Sequence, residues 1–72
     1  MDRKNGIEIA GRVLDVMNER LAEIEFPNQH KLVGFIEPPD MEKFKNRLVQ
    51  GAQVIVICSS FDFSKGRIIK IE

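Results

Sequence analysis

An all-β fold, five strands wrapped into a small barrel with one short helix between the third and fourth strands, is what the sequence predicts. Three observations carry it. Apolar residues alternate with polar ones in several short runs, the pattern of half-buried strands. Turn-forming Gly, Pro and Asn separate those runs at short intervals, as in sandwiches and barrels. Helical spacing occurs in one stretch only, after Pro38-Pro39.

Residues 1–6 are polar and end in Asn5-Gly6, which reads as a flexible N-terminal tail. Residues 7–72 read as a single domain. The first strand, residues 7–16, places Ile7 and Ile9 before Gly11 and Val13, Leu14 and Val16 after it. A glycine inside a strand pattern suggests a bulge or a bend where a barrel turns a corner. After a turn at "MNER", the second strand has Ala22, Ile24 and Phe26 on one face and Glu23 and Glu25 on the other. "PNQH" forms the next turn: Pro27 presets one dihedral, and Asn28 tolerates a left-handed one. "KLVGFI" is the third strand.

Pro38-Pro39 stops strand pairing, and Asp40 suits the N-cap of a helix over "MEKFKNRL". Its Met41, Phe44 and Leu48 face the core while Lys43, Lys45 and Arg47 stay in water. Gly51 fits the stop. "QVIVIC" is a fourth strand, apolar on both faces, and "RIIKI" a fifth. Three meandering strands, a helix and two more strands is the order of the OB-fold, a five-stranded Greek-key barrel.

At 72 residues the chain buries only about 60% of its unfolded surface, leaving little room for an enclosed active site. Its 43% hydrophobic and 31% charged content is that of a globular domain. No apolar run approaches the roughly 18 residues of a membrane span and no signal-peptide segment stands at the start, so a cytoplasmic location with no membrane partner is expected. Cys58 is the sole cysteine and reads as a small buried hydrophobe. His30, the sole histidine, lies in a turn far from it. No catalytic constellation, metal site or cofactor is expected, and the protein reads as a non-enzyme.

Formal net charge is zero, yet unevenly spread. Glu23, Glu25, Glu37 and Asp40 make the middle acidic, whereas Lys43, Lys45, Arg47, Lys65, Arg67 and Lys70 make the second half basic. OB-folds bind oligonucleotides on their second and third strands and on the loops joining strands one to two and four to five. "SSFDFSKGR" is predicted as the latter loop. There Lys65 and Arg67 can meet phosphate by charge-assisted hydrogen bonds, with Gly66 allowing close approach, or the segment is a solvated turn whose glycine supplies a positive dihedral. Phe26 and Phe44 fall at core positions. Phe35, Phe61 and Phe63 are the candidates for stacking on bases, with packing as the alternative.

These pieces resemble bacterial translation initiation factor 1 over residues 7 to about 69. The resemblance rests on "IE..G.VL" at 7–14, the Asn28–His30 turn, Gly51 with Val54 and Val56, and "FDFSKGRII". The last is similar to the family's tyrosine-aspartate-leucine-serine-lysine-glycine-arginine-isoleucine run. The resemblance implies a monomeric OB-fold protein at the A site of the small ribosomal subunit. Its partners would be ribosomal RNA, a ribosomal protein and the other initiation factors, and it would perform no chemistry. Carried over by position, the RNA-binding candidates are His30, Lys43, Arg47, Lys65 and Arg67. This chain departs from the pattern at Asp40 and Glu42, where the family has basic residues, at Phe35, in place of a histidine, and at Ile71-Glu72, in place of an arginine-bearing tail. The alternative is a divergent OB-fold module that binds protein or single-stranded nucleic acid.

Overall fold

The computed structural model describes residues 6–59 and 62–72. Its five strands are β1 (Gly6–Val16), β2 (Leu21–Glu25), β3 (Lys31–Phe35), β4 (Gln53–Ser59) and β5 (Asp62–Ile71). They close in the order β1-β2-β3-β5-β4. All neighbours are antiparallel except β3 and β5, which run parallel and close the barrel. This is the five-stranded OB-fold barrel that the element order predicts.

Closure depends on β1 serving two neighbours. Gly6 to Arg12 pair with β4, and Arg12 to Val16 pair with β2. The strand thus changes partner one residue past Gly11, and the ladder irregularity falls between Val13 and Asp15. Gly11 itself makes room: a Cβ there would stand 2.7 Å from both Ile24 Cγ2 and Phe26 Cδ1. The missing side chain lets two core side chains pack against the backbone.

Alternation supplies the core. Ala22, Ile24 and Phe26 point inward from β2 and the turn after it, Leu32 from β3, Val54, Val56 and Cys58 from β4, and Ile68 and Ile71 from β5. Cys58 is fully buried among them, as a small hydrophobe. Ile55 and Ile57 on the other face of β4 are half-buried, consistent with a strand apolar on both sides.

The predicted helix over 41–48 does not form. A 3-10 turn at Pro38–Asp40 is followed by irregular turns. One bond of α reach, Phe44 N–H to the Asp40 carbonyl at 3.0 Å, stands beside shorter-range bonds from Lys45 to Glu42 and from Arg47 to Phe44. Asn46 has φ 65, a left-handed conformation that interrupts a right-handed helix and that Asn tolerates better than most residues. The apolar spacing still works: Phe44 and Leu48 are buried and Met41 packs against them. The segment caps one end of the barrel. It sits there with the loop at 17–20, whose Arg20 carbonyl accepts from the Ile36 N–H at 2.9 Å. The opposite end carries the β2–β3 turn and the junction of β4 with β5, where Ser59 pairs with Asp62.

Candidate nucleic-acid interface

Lys65 and Arg67 belong to a strand, not to a loop. β5 begins at Asp62, so most of the predicted strand-four-to-five loop is already paired. Val33 lies beside Lys65, Gly34 beside Gly66 and Phe35 beside Arg67. Gly66 does not have a positive φ and is buried, which excludes the solvated-turn reading of that residue. A Cβ on it would lie 3.2 Å from Cys58 Sγ and 3.4 Å from Leu32 Cδ2. The close approach that Gly66 permits is therefore to the core. Because Gly66 points inward, pleating turns Lys65 and Arg67 outward, roughly 6.6–6.8 Å apart along the strand.

The outward face can be read in rows. On β3, Leu32, Gly34 and Ile36 are buried, so Lys31, Val33 and Phe35 face out, the last two half-buried. β2 pairs Leu21 with Phe35, Glu23 with Val33 and Glu25 with Lys31. One row is thus Leu21, Phe35, Arg67 and another Glu23, Val33, Lys65. Acidic side chains line the β2 side and cations the β5 side, with Val33 and Phe35 between. Two strand spacings separate Glu23 from Lys65, roughly 9–10 Å, about one Debye length at physiological salt.

Among the aromatic candidates, Phe35 stands outward between Leu21 and Arg67 with part of its ring surface accessible. Phe61 and the Phe63 side chain lie outside the described residues. Phe26 and Phe44 are core residues, as their positions predict.

The other candidate cations do not join this face as one cluster. His30 sits at the β2–β3 turn, its ring stacked on Phe26 at 5.9 Å between centroids and 16° between planes. The turn is fixed by Asn28 Oδ1, which accepts from the His30 N–H at 3.0 Å. Its left-handed residue is Gln29, φ 70, rather than Asn28. A groove of about 450 Å³ opens there between Ile9, Phe26, Pro27, Asn28 and His30. Lys43 and Arg47 belong to the cap at the opposite end. The Lys43 ammonium lies 5.3 Å from the Phe44 ring centroid, and Arg47 Nη2 donates to the Ile71 carbonyl at 3.4 Å. The candidates thus form three groups: the turn, the β5 pair and the cap.

Acids of the middle segment pair with cations from both sides of it in sequence. Arg67 Nη2 donates to Asp40 Oδ2 at 3.2 Å, and Arg12 lies 3.7 Å from Glu25. Sequence reasoning missed two members of the face. Lys31 was recoverable from the alternation of "KLVGF". Asp40 was not, because its contact with Arg67 depends on how the cap folds against β5.

Barrel order and capped end define a small β-barrel of the OB-fold class. No family model matches the sequence. The fold is similar to that in the solution structure of translation initiation factor 1 from the Wolbachia endosymbiont strain TRS of Brugia malayi, at 26% identity and a TM-score of 0.72. The similarity covers 93% of this chain and 78% of that one. The chain therefore has the fold of an initiation factor 1 over nearly its whole length.

Proposed function

We propose that this protein is a monomeric, cytoplasmic translation initiation factor. It binds the small ribosomal subunit at the A site through ribosomal RNA and a ribosomal protein, and assists the other initiation factors without performing chemistry. The observation that carries the reading is the outward pair Lys65 and Arg67 beside Phe35, on a barrel similar to that initiation factor across 93% of the chain. Cations on a rigid strand can meet successive phosphates while an adjacent ring accepts an unstacked base. His30 and Lys31 extend the contact toward the β2–β3 turn, and Lys43 and Arg47 toward the cap.

Labelled protein is expected to bind purified small ribosomal subunits saturably at low salt and to be displaced by an A-site ligand. Absence of binding, or binding indifferent to that ligand, overturns the reading.

The acidic column of Glu23 and Glu25 on β2 favours a second reading, an OB-fold module that binds protein. Recovery of a partner that survives both ribonuclease and high salt would support it over RNA binding.

A further inference from the structure

One contact on the outward face has the wrong partner for an RNA-binding residue. Arg67, 47% exposed in its side chain, is engaged by Asp40, whose own side chain is 21% exposed. The carboxylate Oδ2 lies 3.2 Å from Nη2, occupying a donor that could otherwise be offered to a phosphate oxygen. Asp40 does not reach this position by local accident. It closes the 3-10 turn that follows β3, its N–H donating to the Glu37 carbonyl at 2.8 Å and its carbonyl accepting from the Phe44 N–H at 3.0 Å. The backbone of the cap therefore holds the acid against β5. Lys65, two residues before Arg67 on the same face, lies beside Val33 on β3.

We propose that Asp40 is a specificity-determining residue that stands in for phosphate at Arg67. RNA that takes this Nη2 donor exchanges one anion for another, and RNA that uses the other guanidinium donors meets a charge that Asp40 already offsets. This inference rests on the RNA-binding reading above. The exchange has two physical consequences. An exposed ion pair is weak, so an RNA held by several other contacts can displace the carboxylate at small cost. An RNA held loosely gains almost nothing from Arg67, because the displaced Asp40 remains nearby as a negative charge. A repulsive element that penalises the wrong ligand more than the right one raises specificity while lowering affinity. Counterion release is reduced as well, since the freed carboxylate recovers a cation as the phosphate loses one.

The test compares the wild type, Asp40→Asn, Arg67→Ala and the double variant. Two probes are used, a single-stranded homopolymeric RNA and purified small ribosomal subunits, across a salt series. Asp40→Asn is expected to tighten homopolymer binding about two- to fivefold, the range an exposed ion pair can mask, and to steepen its salt slope by up to about 0.7. The gain should be smaller on small subunits and vanish in the Arg67→Ala background. A gain that persists undiminished without Arg67 overturns the proposal, because it then reflects general charge removal. So does an unchanged affinity in Asp40→Asn when Arg67→Ala weakens binding, an outcome that leaves the RNA-binding face intact. If neither the wild type nor Asp40→Asn binds either probe, the functional reading falls and takes the proposal with it. A thermal melt of each variant checks folding. Asp40→Ala serves as a second charge-removing variant with the same expected gain.

Discussion

The β3–β5 wall and the cap at 36–52 carry cations of similar number in different mechanical settings. On the wall, Lys65 and Arg67 issue from paired strands whose register fixes their spacing. On the cap, Lys43 and Arg47 issue from irregular turns, and one of them is tied back to the Ile71 carbonyl. The wall presents charge at a set interval, whereas the cap contributes chiefly by closing the core. Similar side chains thus acquire different uses from the backbone beneath them.

The sharpest way to break that contrast is to attack the cap where it is buried. Phe44 is 4% exposed, and truncating a buried Phe costs about 3–5 kcal/mol. For a domain of this size that is a fall in Tm of well over ~10 °C. Phe44→Ala is therefore expected to unfold the protein partly or wholly near 37 °C in a calorimetric scan. A drop of only a few degrees would make the cap a surface appendage. Asn46 comes next. Alanine at its left-handed φ should cost about 1–2 kcal/mol, while glycine should be neutral or mildly stabilising. Equal urea midpoints for Asn46→Ala and Asn46→Gly would mean that the turn relaxes freely.

The smallest effect compares the cations themselves. Removing Lys65 should weaken RNA binding and lower the salt slope by about 0.7–1, and removing Arg67, whose charge Asp40 already offsets, should lower it less; neither should change the melting temperature much, because both residues are exposed. Lys43→Ala should change the slope less. Equal slopes for Lys43→Ala and Lys65→Ala would erase the distinction between wall and cap.

The strands were legible by two signals: Ala22-Ile24-Phe26 announces a period of two and so one buried face, and the unbroken apolar run at 54–58 announces a strand covered on both sides. Lys65 and Arg67 were legible as an exposed pair of cations and misread in their setting. A glycine between two cations looks like a hairpin tip. Only the approach of Cys58 Sγ and Leu32 shows why Gly66 belongs inside a strand, and that approach is tertiary. The helix failed for a related reason. Met41, Phe44 and Leu48 have the spacing of one face, and the same three positions can be buried by turns once Asn46 turns left-handed. Spacing reports which residues face inward, not which backbone brings them there.

The parallel seam between β3 and β5 has a kinetic consequence. It joins residues 33–35 to residues 65–67, just as β1 must find β4 with Gly6 against Ser59. Neither pairing can form until most of the intervening chain has been gathered in, and loop-closure entropy is spent before those contacts repay it. The β2–β3 hairpin, whose partners are close in sequence, can form early and wait. Closure of the seam is then the late event that brings Lys65 and Arg67 beside Phe35, so this outward face comes into existence only when the barrel does.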